Sequence, residues 1–147
     1  MHFYYTGSRN CDAWVEMPNG LYQAADDIIV NVKDEFGFSY TFTILPGFRT
    51  DGGSVPAAFR WFVPSWDYDR PVINLAYACH DGVYATGCLS RAAADDLLRG
   101  MLRDAGLSRF RASTVCLAVN SFACRHYGIE HDRYGSAPFF RMVKYRI

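Results

Sequence analysis

Three residues within one short stretch, His80, Asp81 and Tyr84, have the types and spacing that water-activating chemistry uses. On a helix His80 and Tyr84 are four apart and share a face, while Asp81 lies beside His80 and three residues before Tyr84. An imidazole takes up a proton near neutral pH, and a neighbouring carboxylate can hold a hard cation or join a polar network. Two further acids, Asp95 and Asp96, stand on the next helical stretch. The short loop from Ala85 to Leu89 would fold that stretch back antiparallel and bring Asp95 or Asp96 opposite His80 and Tyr84. A carboxylate there orients the imidazole through the nitrogen not used in chemistry. Arg91, four residues before Asp95, is the rival partner for that carboxylate. Asp51-Gly52-Gly53-Ser54 is the other candidate, because glycines let the backbone approach a ligand while Asp and Ser supply oxygen donors; the same residues also make a plain Asx turn.

Other readings of these residues fail on geometry. Helical phosphohydrolases with a His-Asp doublet need further upstream and downstream metal ligands, and the one upstream histidine here is His2. Cys79 adjoins His80, but adjacent helix residues point about 100° apart, so the two do not form a thiol–imidazole pair and Cys79 is expected in the core. His126 and His131 flank a helix end and are expected to cap it or lie exposed.

The elements that must position these groups follow from periodicity. Ile28 to Val32 and Phe38 to Ile44 read as two strands of a hairpin, the second with Phe38, Tyr40, Phe42 and Ile44 alternating with polar residues. Phe48-Arg49-Thr50 reads as a further short strand before the Gly52-Gly53 turn, and Val55 to Pro71 as an irregular aromatic loop. Pro71 suits a first helical turn, and Val72 to Tyr84 predicts a helix ended by Gly87. Ser90 caps a second helix over Arg91 to Ala105, stopped by Gly106, and Arg109 to Tyr127 predicts a third. Strands first and helices second imply an α+β fold: an N-terminal antiparallel hairpin or small sheet, then a three-helix C-terminal half. Residues 1–147 are expected to form one globular domain, with 129–147 as an extended basic and aromatic arm.

Composition narrows the classes. The chain has 147 residues, half of them hydrophobic, ample for one core without staples. Net charge is zero but uneven: the residues after Ser108 hold 7 basic and 2 acidic side chains, those before Arg109 hold 8 and 13. No stripe of the kind that binds nucleic acid is present. Five cysteines without a C-x-x-C pair argue against a zinc ribbon or a disulfide framework and for reduced thiols. The start, Met-His-Phe-Tyr-Tyr, lacks signal-peptide character and no run approaches the ~20 apolar residues of a membrane span. Synthesis in a cytoplasm is expected.

Taken together, Phe48 to Pro56, Phe59-Arg60-Trp61 with Pro64, His80-Asp81-x-x-Tyr84 and Ser90-Arg91-x-x-x-Asp95 resemble the family called domain of unknown function 1353, found in bacteriophages and bacteria. Gly53 stands where that family more usually has alanine, and Gly82 where it more usually has tyrosine. Gly82 costs helix stability of the order of 1 kcal/mol, so α-helix there is either loose or closely approached. The family has no assigned function; its occurrence in phage genomes is compatible with a virion or tail-associated accessory protein, the first expectation here because a buried His/Asp/Tyr network can be purely architectural, made in the host cytoplasm and assembled with other phage structural proteins or against the host envelope. A more distant similarity, to the active-site helix pair of phospholipase A2, implies a different role. It makes His80 the base that activates water, Asp81 a calcium ligand, Tyr84 and Asp95 the groups that orient His80, and the Asp51 to Ser54 turn the remaining source of calcium ligands. The alternative function is therefore a metal-assisted hydrolase, acting on phospholipid or on ester or amide bonds of the cell envelope.

Overall fold

The alternation of Phe38, Tyr40, Phe42 and Ile44 drives one face of strand β5 (Phe38–Ile44) into the core, and β4 (Ile28–Asp34) pairs with it antiparallel from Ile28↔Ile44 to Lys33↔Ser39. Asp34 fixes the turn between them. Its carboxylate accepts from the Phe36 and Phe38 amides at 2.9 and 3.0 Å and from the Tyr40 hydroxyl at 2.7 Å. Burial opposes ionisation of Asp34, but these donors outweigh it and hold the carboxyl below its usual range.

The computed structural model describes residues 1–53, 65–123 and 132–146. Around the hairpin stand β1 (Phe3–Arg9), β2 (Trp14–Glu16), β3 (Tyr22–Ala24), β6 (Arg49–Thr50) and β7 (Phe140–Arg146). They form a four-stranded antiparallel sheet in the order β1-β4-β5-β7 and a smaller one in the order β2-β3-β6. The fold is α+β, as the sequence implies. The expected arm acquires definite structure: its last part is β7, in register with β5 along its whole length, behind a 3-10 turn at Ala137–Phe139.

The helices are α1 (Pro71–Thr86), α2 (Arg91–Asp104) and α3 (Arg109–Ala123). Pro71 opens α1, and Gly87, in the left-handed region at φ 68°, closes it with its amide on the Val83 carbonyl at 2.8 Å. Ser90 caps α2 by accepting from the Ala93 amide at 3.1 Å. Of α1, every residue from Ile73 to Ala85 except Asp81 is buried, which makes it the central helix, enclosed on nearly all sides. Phe140 of β7 packs against it at Gly82 and α2 lies along it, and Tyr40, Phe42 and Ile44 of the large sheet and Leu97, Leu98 and Met101 of α2 belong to the same core. No described helix is long and apolar enough to cross a membrane.

Candidate functional site

His80 and Tyr84 occupy the face of α1 that meets α2. The Nε2 of His80 lies 3.0 Å from Oδ1 of Asp95, and the Tyr84 hydroxyl donates to that same oxygen at 3.0 Å. The imidazole and phenol rings lie 4.3 Å apart, centre to centre. His80 is only 2% exposed, and Asp95 keeps 17% of its side-chain surface. Because Asp95 accepts and cannot donate when ionised, the proton of neutral His80 belongs on Nε2, and the lone pair falls on Nδ1. Burial, then the Asp95 charge and hydrogen bond, push the Tyr84 phenol far above its ordinary value; Arg91, hydrogen-bonded to the same hydroxyl, pulls the other way.

This geometry decides between the two acids. Asp96 points elsewhere, to Arg99 at 3.1 Å and to the N-terminal ammonium at 3.3 Å, so Asp95 is the acid of the helix pair. Arg91 meets Tyr84 while Asp95 meets His80, the reversed order that antiparallel helices require.

Asp81, one residue on, serves another network, because consecutive helix side chains diverge by about 100°. Its Oδ2 accepts from the Thr50 hydroxyl at 2.5 Å, and Thr50 accepts in turn from the Gly52 amide at 3.1 Å. The neighbouring Asp51 accepts from the Tyr134 hydroxyl at 3.0 Å and pairs with Arg133 at 3.7 Å. Asp81 keeps some accessible surface, yet its carboxyl group is enclosed by protein. Burial and then the Asp51 charge push that carboxyl well above its usual range, against the pull of Thr50 and Arg133. Burial and Asp51 likewise push the Tyr134 phenol up to about 12.

Gly53 lets the Thr50 turn reach α1, and Gly52 lets it reach the backbone at Ser65. A Cβ on Gly53 would lie 2.5 Å from the Tyr77 ring, and one on Gly52, at φ 76°, would lie 2.2 Å from the Ser65 carbonyl oxygen. The far side is fastened by Ser136, whose hydroxyl donates to the Arg49 carbonyl at 2.8 Å and accepts from the Arg49 amide at 3.1 Å.

Of the five expected residues, His80, Tyr84 and Asp95 share one hydrogen-bonded group, while Asp51 and Asp81 share a second on the neighbouring side of α1. Ser54, Phe59, Arg60, Trp61, Pro64, His126 and His131 lie outside the described residues. Sequence reasoning missed Thr50, Arg133 and Tyr134. Thr50 stood directly before the glycine turn and its hydroxyl is a ready carboxylate donor; Arg133 and Tyr134 carry no local signal and arrive through the tertiary fold.

A family model described as Protein of unknown function (DUF1353) matches residues 22–119, more than half of the chain, and that span holds all five expected residues. The chain belongs to the DUF1353 family. Comparison with curated proteins and with solved structures finds no match. The DUF1353 span runs from β3 to α3 and so contains both faces of α1, whereas Arg133 and Tyr134 lie beyond it.

Among the described residues, the acids that the helix-pair similarity would give to calcium are already engaged. Among the described residues no three His, Cys, Asp or Glu side chains are grouped to hold a metal. Calcium takes six to eight oxygen ligands, whereas here Asp81 is bonded to Thr50 and Asp51 already faces a guanidinium. Asp51 and Asp81 form a carboxyl pair balanced by Arg133.

Proposed function

We propose that the chain is a hydrolase in which His80 activates water against an ester or amide bond, with a phospholipid or cell-envelope component as the substrate class. The observation that carries this reading is the sharing of Asp95 Oδ1 by His80 Nε2 and Tyr84 hydroxyl, 3.0 Å each. Such a carboxylate fixes the imidazole tautomer and stabilises the imidazolium that forms when the other nitrogen takes a proton. In the reaction so read, His80 Nδ1 takes a proton from water as the water oxygen bonds to the acyl carbon. The acyl bond to the leaving group then breaks, and His80 returns the proton to that group.

Energetics supports chemistry over packing alone. A buried charged and polar network often contributes no more to stability than well-packed apolar residues of the same volume. Helix α2 otherwise buries Ala93, Ala94, Leu97, Leu98, Met101 and Leu102, apolar side chains that anchor it to the core without the polar group. The test is release of fatty acid from phospholipid vesicles and of fragments from purified cell envelopes. His80→Ala is expected to lower turnover by about 10²–10⁴-fold, with the circular dichroism spectrum retained. Turnover unchanged in His80→Ala would sink the assignment.

One observation favours the second reading, a non-catalytic virion or tail-associated accessory protein. His80 is 2% exposed, so the network is closed enough to act as a staple between α1 and α2. On that reading neither substrate is turned over, and His80→Ala lowers the melting temperature by many degrees instead.

A further inference from the structure

Among the described residues the large sheet has two edges, β1 and β7, and they are built differently. At β1 the Tyr5 amide donates to the Asp104 carboxylate of α2 at 2.7 Å, and the register slips between Tyr5 and Gly7. A capped amide and a bulge are devices that stop further strands from adding. At β7 the pairing with β5 runs through seven consecutive partners, Phe38↔Arg146 to Ile44↔Phe140, without a slip, and β7 contains no proline.

The direction of its free groups follows from one bond. The Leu45 amide donates to the Phe139 carbonyl at 2.8 Å, which sets the phase of the ladder: Arg141, Val143 and Tyr145 aim their backbone groups at β5, and Met142, Lys144 and Arg146 aim theirs outward. Beside that edge, on the sheet face turned from the helices, Val143 is 59% and Tyr145 42% exposed. The strand carries Arg141, Lys144 and Arg146 and no acid.

We propose that β7 is a docking edge for an extended acidic strand of a partner protein, which joins the sheet as a fifth strand. The outward amides and carbonyls of Met142 and Lys144 supply the backbone bonds, while Val143 and Tyr145 supply apolar contact to alternate side chains of the incoming strand. Charge selects the occupant. A second copy of β7 would bring three cations against three, whereas an acidic strand neutralises them. This inference is independent of the hydrolase reading, since β7 lies outside both polar groups on α1.

The probe is a short synthetic peptide alternating glutamate with valine and threonine, labelled for fluorescence anisotropy and titrated with the full chain. A control peptide carries lysine in place of glutamate. The acidic peptide is expected to bind at least about ten-fold more tightly than the basic one, with affinity falling as salt rises. Lys144→Pro removes one outward amide, and an edge strand tolerates proline there; compared with Lys144→Ala, which takes the same cation from over the Phe38 and Tyr40 rings, it is expected to keep the melting temperature and lose about ten-fold or more in binding. If Lys144→Pro fails to fold, the double charge reversal Arg141→Glu with Arg146→Glu serves instead and should shift preference to the basic peptide. Equal binding of the two peptides, no binding of the acidic one, unaltered preference on charge reversal, or a dimer broken by Lys144→Pro would each overturn the proposal.

Discussion

At the scale of single residues, the contrast between His80 and Asp81 organises the site. Adjacent in sequence, they answer to different neighbours: His80 to an acid across the helix pair, Asp81 to a threonine and a second acid on the β6 turn. Asp81 has a consequence for stability against pH. The groups acting on it are Asp51, Thr50 and Arg133, and the net effect raises its folded-state carboxyl well above the usual range. An acid whose folded pKa exceeds its unfolded value of about 3.9 binds its proton more tightly when folded. Its stabilising contribution is then complete below the unfolded pKa and is lost as pH rises through the folded one. Asp81→Asn keeps a hydrogen-bonding group of the same shape and cannot ionise. At neutral pH the variant is expected to unfold at higher urea than the wild type, and the difference should close below about pH 4. Urea midpoints over a pH series check this, and a wild type more stable at neutral pH would mean that Asp81 is ionised and well partnered when folded.

Between elements, Gly82 joins α1 to β7. A Cβ at this position would lie 2.3 Å from the Phe140 ring, so the ring rests on the bare backbone of α1. Closeness of approach, and not a loose helix, explains a glycine in the middle of α1. Gly82→Ala gains about 1 kcal/mol of helix propensity but forces a packed ring aside, which costs about 1–3 kcal/mol. The net result is expected to be a lower denaturation midpoint; Phe140→Ala costs about 3–5 kcal/mol by itself, and on that background Gly82→Ala is expected to cost nothing further, whereas additive losses would mean that the two positions do not touch. The same pair shows where sequence reading stops. The three helices and the β4–β5 hairpin were legible because Pro71, Gly87, Ser90 and the alternation from Phe38 to Ile44 are local signals. Strands β1, β2, β3 and β7 were not, since each is defined by a partner distant in the chain, and β1 also breaks its own alternation at the Gly7 bulge.

For the whole molecule, long-range order decides both the site and its accessibility. His80, Tyr84 and Asp95 could be placed together from helix spacing and one short loop, whereas Arg133 and Tyr134 reach Asp51 only because Ser136 pins their segment to Arg49. All of this hangs on α1, which touches α2, the β6 turn and β7. Cys79, on the buried side of that helix, therefore reports on the integrity of the molecule as a whole. The four described cysteines are free: Cys79 and Cys116 are buried, Cys11 and Cys88 half-buried. Burial pushes the Cys79 thiol far above its ordinary value and the Cys116 thiol up to about 12, so neither is a thiolate in the native state at pH 8. In native protein treated with a thiol reagent, Cys11 and Cys88 are expected to label first, as mapped by mass spectrometry. Because α1 is enclosed by both layers, no small opening frees Cys79, and its labelling should give the same free energy and denaturant slope as global unfolding. Fast labelling of Cys79 with little dependence on denaturant would mean that α1 opens locally, and with it the helix pair that holds His80 against Asp95.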